Sequence, residues 1–551
     1  MAIRGVNSSV ADSEAPAHGR FITPNFAALS LRAEPANARL LKLGFFAVWL
    51  LLVVLLAVQH AFWRDEVRAL SLALAGSNII EMFHAIQGEG HPAVWYVLLR
   101  ATHAITGSAL SLPIVSVSVA AATMLLLVLR APFAWWVVAL LLFGNFALFE
   151  YSVMARNYGI SVLFMFLLAE FYPRHATRGV MLGCLLFLLA NTNAHCVLLA
   201  GAFLLFWLID LLMQQGVRWT PSLRVFLVNA AITFIGIVIC FVTIYPPAND
   251  AAAIDSHAVT LQTLASAALL PGGNFGELLL DLPRRALAIA PILYPATLVA
   301  ISALMFGAIL GLIRRSAAAL AACTALIAFS LFFVVVYPGS YRHEGLWLFF
   351  VIALYWIMLA RAGSPIAPVA RRPAALSAFG TLCLIALLVL QVPRGVYAAA
   401  GLALHPKPLS RSRDLAAFIK SQPALRQATL LADPDYMLEA IPYYLPNRLY
   451  FLHEQRFGTL VKFTMHARLS VSLADMLAAA QKIQADSHQP VLMLLTHPLD
   501  PAAPAQAYPD GYHWDFSTTP QQVQAFLDST KKVASFSPAV TDESYAVYEL
   551  N

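Results

Sequence analysis

Charge is what this chain of 551 residues has least of: Asp, Glu, Lys and Arg together make up 12% of it, about half the ~25% of an ordinary soluble protein. With 60% hydrophobic residues and a mean hydropathy of +0.72, that scarcity excludes a water-soluble fold for most of the length and points to a polytopic membrane protein. Cysteine is also sparse. Cys184, Cys196, Cys240, Cys323 and Cys383 all lie in apolar stretches, at neither paired nor metal-ligand spacing, so neither a disulfide framework nor a zinc site is expected. No glycine-rich phosphate loop or dinucleotide fingerprint is present, which argues against direct use of ATP or NAD. There is no internal repeat. An early apolar stretch is missing too: residues 1–40 are polar and rich in Pro, Ala and Arg. They are expected to form a disordered cytoplasmic tail without a cleavable signal.

What is present is a succession of membrane-length apolar runs. About eleven spanning helices are predicted, at 42–62, 109–129, 132–149, 157–172, 179–191, 195–213, 224–245, 286–313, 316–337, 345–361 and 374–393. The net charge of +6 is distributed as a membrane protein distributes it, and no nucleic-acid partner is expected. With the basic N-terminal tail inside, alternate loops hold Arg130; Arg174 and Arg178; Arg218 and Arg224; Arg314 and Arg315; then Arg361, Arg371 and Arg372. The opposite loops are mixed, with Asp65, Glu66, Glu81 and Glu89 in one and Asp250, Asp255, Glu277 and Asp281 in another. This is the positive-inside pattern. Counting 91–107 as a span would invert every later loop, so the stretch 63–108 reads as a large outer loop with helices along the membrane surface. Asn78 and Glu81 have the spacing of an N-cap and its partner.

Charge returns to soluble density after residue 394. Strand-like pieces at 428–432, 448–452, 491–495 and 533–536 alternate with helix-like ones at 412–421, 434–441, 471–486 and 520–529. The expectation is an α/β domain over 394–551 with a largely parallel sheet. An odd number of spans places it on the outer, periplasmic side of a bacterial inner membrane, following a transmembrane domain over 41–393.

Three polar clusters fall on that outer face: Trp63-Arg64-Asp65-Glu66, His91-Pro92 with Tyr96, and Glu150 followed by Ala155-Arg156-Asn157-Tyr158. The order Trp-x-Asp-Glu, His-Pro-x-x-x-Tyr, Ala-Arg-x-Tyr, then Asn191-Thr192-Asn193-Ala194-His195, resembles the GT-C superfamily of integral-membrane glycosyltransferases. It is similar to the branch of protein O-mannosyltransferase-like and lipid A aminoarabinose transferase-like enzymes. The resemblance spans residues 40–215. Ala93 and Asn157 stand where the family often has proline, and the charged residues are kept.

The resemblance implies transfer of a sugar from a polyprenyl-phosphate carrier to a glycan, lipid or protein acceptor. Asp65 would be the general base, with Glu66 beside it. A carboxylate suits this chemistry because it takes the proton as the acceptor hydroxyl attacks the anomeric carbon. The leaving phosphate needs cations; Arg156 and Arg342 are the candidates, with Tyr158, His91, His195 and Glu150 as further substrate-binding residues. No cofactor is demanded. A divalent metal beside Asp65, Glu66 and Glu150 is compatible with the residues, but nothing in their spacing requires it. The rival readings are a flippase for lipid-linked glycans, which would place ionisable groups in mid-membrane, and a non-catalytic envelope scaffold.

Overall fold

The computed structural model describes residues 31–32, 37–245, 259–280, 290–360, 371–404, 408–510 and 512–551. Most of the expected N-terminal tail lies outside them, as do Asp250, Asp255, Asp281 and Arg361. The first helix, α1 (Ala38–Gln59), is followed by three short ones, α2 (Arg64–Ala73), α3 (Ile79–Ala85) and α4 (Val94–Thr106). Then come α5 (Ser111–Arg130), α6 (Trp135–Phe143), α7 (Tyr158–His175), α8 (Met181–Ala190), α9 (Cys196–Gln215) and α10 (Pro221–Ile244). After α11 (Leu261–Leu269) and α12 (Gly273–Leu280), the bundle closes with α13 (Ala290–Leu310), α14 (Ser316–Val335), α15 (Tyr341–Ala360) and α16 (Arg371–Leu404).

Among the described residues, eight helices are long and apolar enough to cross a bilayer, against the eleven predicted. The difference lies in three consecutive runs. The run at 132–149 breaks at Gly144 into the nine-residue α6 and a π-helical turn, Phe146–Glu150. The run at 157–172 forms α7, which carries Glu170, Arg174 and His175 toward its end. The run at 179–191 gives the ten-residue α8, stopped at Asn191. α6 and α8 pack against neighbouring helices along most of their length, so full bilayer length is not required of them; α7 has 18 residues, but its charged end lowers its hydropathy. α15 is the most enclosed span, 83% buried, with Trp347, Tyr355 and Trp356 filling the centre. α1 and α10 are peripheral and turn Leu51, Val58, Phe234 and Val242 outward.

The surface segment forms as local rules dictate. Asn78 Oδ1 accepts the N–H groups of Ile80 and Glu81, at 2.9 and 3.0 Å, and so starts α3. In α4, Trp95, Tyr96 and Leu99 are buried, joining Phe62, Val67, Leu70 and Met82 in a small core of their own.

α16 continues past the predicted end of the last span at 393, through Pro393 to Leu404. The second domain contains α17 (Ser412–Ser421), β1 (Thr429–Asp433), α18 (Ile441–Tyr444), β2 (Leu449–Phe451), β3 (Arg456–Phe457), β4 (Ser470–Ser472) and α19 (Leu473–Ser487). β5 (Val491–Leu495), β6 (Gln506–Pro509), β7 (Asp515–Thr518), α20 (Pro520–Ser529), β8 (Thr530–Phe536) and β9 (Tyr545–Leu550) complete it. The main sheet has the order β3-β2-β1-β5-β9-β8, and β4-β7-β6 form a second one. β2, β1 and β5 are parallel, but β9 runs antiparallel to both β5 and β8. The sheet is therefore mixed rather than largely parallel. β1 and β5 are buried throughout, as continuous apolar strands between two layers should be.

Candidate functional site

The site begins at the first turn of α2. Its N-cap, Trp63, has extended backbone, and successive helical residues point about 100° apart, so Asp65 and Glu66 leave the helix in different directions. Glu66 is at the third position. Its carboxylate accepts the N–H of Trp63 at 3.2 Å, the N–H of Ala155 at 2.6 Å, and His60 Nε2 at 2.8 Å. It is 0% exposed. Those bonds stitch the start of α2 to the segment carrying Arg156, and they occupy the carboxylate fully.

Asp65 points the other way, with its side chain 38% exposed. Arg156 Nη1 reaches Asp65 Oδ2 at 2.6 Å, and Arg64 Nε lies 3.8 Å from Oδ1. Burial alone would raise the Asp65 carboxyl, but Arg156 and then Arg64 outweigh it and hold it below the ordinary carboxylate range. Arg156 also donates through Nη2 to His91 Nε2 at 3.2 Å, which fixes that nitrogen as an acceptor. Burial, seconded by the Arg156 charge, pushes the His91 imidazole down to about 3. His91 is thus a neutral positioning group for the guanidinium.

Arg342, at the start of α15, approaches from the opposite wall. Its Nε stands 3.7 Å from Glu150 Oε2, beyond hydrogen-bond range, and both atoms are buried without a hydrogen-bond partner. The guanidinium lies 5.9 Å over the Trp63 ring, whose own buried Nε1 is also unpartnered. Glu150 sits on the π-helical turn and accepts from Tyr341 Oη. Tyr151 Oη donates to the Arg342 carbonyl at 2.5 Å. Behind them, Tyr158 Oη lies 2.8 Å from His343 Nε2, and Ser340 N–H donates to His343 Nδ1 at 2.9 Å.

Trp63, Asp65, His91, Arg156, Tyr158, Arg342 and His343 share one cavity of about 800 Å³. Its head is lined by Trp63, Asp65, His91, Arg156, Tyr158 and Arg342; its body runs between α9, α10 and α14 along Val197, Leu198, Ile237, Phe241, Phe332 and Val336. A charged head on an apolar body is the shape of an amphiphile. A second, polar cavity of about 280 Å³ opens on the other side of the same residues, and Asp65, Glu89, His91 and Arg156 line both. Its far wall comes from the second domain, with Glu439, Lys462, Phe463 and Tyr512.

The second domain is fastened over the site by many contacts. The Arg64 N–H donates to Glu543 Oε1 at 2.7 Å, and the Arg64 side chain pairs with Asp542. Arg68 pairs with both Glu89 and Glu439 and donates to the Val461 carbonyl at 3.0 Å. Arg413 Nη1 binds the Gln59 carbonyl at 3.0 Å, and Tyr444 Oη the Phe62 carbonyl at 3.1 Å. The domain that ends the chain and the loop that carries Asp65 therefore belong to one assembly.

Of the residues singled out in the sequence, Asp65, His91, Arg156, Tyr158, His195 and Arg342 line the large cavity, whereas Glu66 and Glu150 do not. His195 meets Phe329, Phe332 and Phe333 edge to face and stacks on Tyr337, with neither ring nitrogen bonded. Asp65, Glu66 and Glu150 each have separate partners, and among the described residues no group of three or more His, Cys, Asp or Glu side chains is placed to hold a metal ion. Trp63 stood in the sequence only as part of the Trp-x-Asp-Glu pattern and Glu89 only as an outer-loop acid; Tyr337 and His343 were not singled out. The signal for His343 was its place in Tyr341-Arg342-His343-Glu344, beside an arginine already suspected.

No family model matches the chain, and no curated protein does. Among solved structures, it is similar to the crystal structure of ArnT from Cupriavidus metallidurans in the apo state, at 11% identity and a TM-score of 0.44, covering 92% of this chain and 97% of that one. It is similar also to the crystal structure of ArnT from Cupriavidus metallidurans bound to undecaprenyl phosphate, at 13% identity and a TM-score of 0.45, covering 94% and 98%. At these TM-scores the likeness adds nothing to what the geometry of the site itself supports.

Proposed function

We propose that this protein is an inverting membrane glycosyltransferase that moves a sugar from a polyprenyl-phosphate donor to an acceptor hydroxyl on the outer face of a bacterial inner membrane. The observation that carries the reading is the position of Asp65 and Arg156 in the wall between an amphiphile-shaped cavity and a polar one. The isoprenoid tail occupies the body between α9, α10 and α14, with its phosphate at the arginines. The acceptor enters from the polar side. Asp65 takes the proton of the acceptor hydroxyl as that oxygen bonds to the anomeric carbon; the bond from that carbon to the phosphate oxygen breaks, and the configuration inverts. Arg156, Arg342 and the indole Nε1–H of Trp63 receive the charge that builds on the departing phosphate.

In the free protein Arg156 is spent on Asp65. A donor phosphate competes for that guanidinium, frees the carboxylate and adds negative charge beside it. Both effects raise the basicity of Asp65. Donor binding thereby arms the base.

The placement of the tail is tested by filling the body of the cavity. Val197→Trp or Ile237→Trp should raise the KM for a long-chain donor several-fold and affect a short, water-soluble isoprenyl donor much less. Equal effects on donors of both lengths would remove the tail from this space.

A further inference from the structure

A third cavity, of about 300 Å³, lies in the second domain at the C-terminal ends of β1 and β5, the edge at which open α/β sheets bind small ligands. Its volume is at the small end of the ~300–1,000 Å³ of ligand pockets. Asp433, Asp510, Asp515 and Asp542 line it, and no lysine or arginine does. Asp433, the last residue of β1, is 3% exposed, and its Oδ2 is buried with no hydrogen-bond partner. The nearest cationic candidate for that oxygen is His497 Nε2 at 3.7 Å. Desolvating a carboxylate without a partner is costly, so this one is built to meet something.

The other walls say what. His497 stacks on Tyr508 at 3.8 Å, and His453 stacks on Trp514 at 4.6 Å. Aromatic faces around a carboxylate suit an ammonium ion, which gains from both. The Trp514 Nε1 is buried and unpartnered as well; it offers a donor to an oxygen close to the ammonium. Asp510 accepts the N–H of Tyr512 at 2.7 Å, and Asp515 accepts from Ser470 Oγ at 2.6 Å. Those two are thus held in place, whereas Asp433 Oδ2 is left for a ligand.

We propose that this cavity binds a small organic ammonium ion bearing an oxygen acceptor beside the amine, with Asp433 as its counter-ion. An amino sugar and the ethanolamine head of a lipid share that chemistry. The site is independent of the transfer reaction, although Asp542, in its wall, also pairs with Arg64 beside Asp65. Burial, then Asp435 and Asp510, raise the Asp433 carboxyl well above its usual range, so it keeps its proton while the cavity is empty and releases it to water when an ammonium ion binds beside it.

The test is calorimetric titration of the full chain in nanodiscs of phosphatidylcholine and phosphatidylglycerol. The probes are glucosamine, ethanolamine, glucose and calcium. The expected result is saturable binding of glucosamine or ethanolamine, the one that binds identifying the source, with none of glucose. Asp433→Asn should weaken it at least tenfold. Tyr508→Ala, on the exposed edge strand β6, should weaken it several-fold without unfolding the domain. The proposal is overturned by no saturable binding of either amine, by equal affinity for glucose and glucosamine, by amine binding that both variants leave unchanged, or by calcium saturating the site with the same dependence on Asp433.

Discussion

Asp65 holds its charge in the free protein because Arg156 and Arg64 outweigh its burial, and His91 stays neutral because it is buried beside Arg156. Both statements fix a pH profile. A depressed carboxyl protonates only below the ordinary ~3.9 of Asp, and a depressed imidazole never charges near its ordinary ~6.5. The value of kcat/KM, which reports the free enzyme, should therefore show no loss from these groups between about pH 8 and pH 5. The acid limb of kcat, which reports the bound complex, should fall at higher pH, since the donor phosphate draws Arg156 away. Identical limbs would contradict the arming of the base. For the phosphate, Arg156→Lys should fall between wild type and Arg156→Ala in donor KM and kcat, because lysine keeps charge but loses the fork; Arg342→Ala should impair both as well. Unchanged donor kinetics in both alanine variants would make these arginines membrane anchors. Glu66→Gln belongs to a different class. It leaves at least one buried N–H facing a donor, an error of about 1–3 kcal/mol, so the melting temperature should drop; an unaltered melt would contradict its role as a staple. The sequence brought Asp65 and Glu66 forward together. Separating them needed the helix phase, although the spacing Trp63 to Glu66, N-cap to third position, already carried that information.

Among the elements, the long apolar runs were readable because membrane length and charge bias are composition-level signals. α6 and α8 were not readable as short, since a buried protein helix and a lipid-spanning one share the same apolar composition; α7 keeps the length expected of it. The parallel trio β2, β1 and β5 followed from alternation with helices; β9, which reverses the sheet, is contributed by the last residues of the chain and left no comparable trace. The seam between the domains makes its own prediction. Burial raises Glu439 and Glu543 to about 7 and Asp435 to about 8, against the opposing pull of Arg68 on Glu439, of the Ser410 hydroxyl and then Arg64 on Glu543, and of the Leu452 and His453 N–H groups on Asp435. Carboxyls raised above their unfolded ~4 bind more protons in the folded state. Their contribution is complete below that value and is lost as pH rises through 7 to 8. The melting temperature of Glu439→Gln relative to wild type should accordingly rise between pH 6 and pH 8.5. A pH-independent difference would contradict the raised Glu439.

At the scale of the whole molecule, the charge bias of the loops predicts which end faces out. A membrane-impermeant thiol reagent should label Lys531→Cys in intact cells, and should not label Arg218→Cys or Arg314→Cys, all three positions being exposed. Outside labelling at 218 would place the proposed site on the wrong face. That the two domains form one enclosure around Asp65 was beyond the sequence, because the staples Arg64–Glu543 and Arg68–Glu439 join residues hundreds of positions apart. The central claim is that this enclosure joins a lipid-phosphate donor to Asp65. It is tested most directly by following release of polyprenyl phosphate from a synthetic polyprenyl-phosphate sugar, with purified protein in nanodiscs and envelope extract as acceptor. Wild type should release it, and Asp65→Asn should bind the donor yet release it roughly 10²–10⁴-fold more slowly, the usual span of general-base catalysis. Release at the wild-type rate by Asp65→Asn, or none by the wild type, would contradict the account.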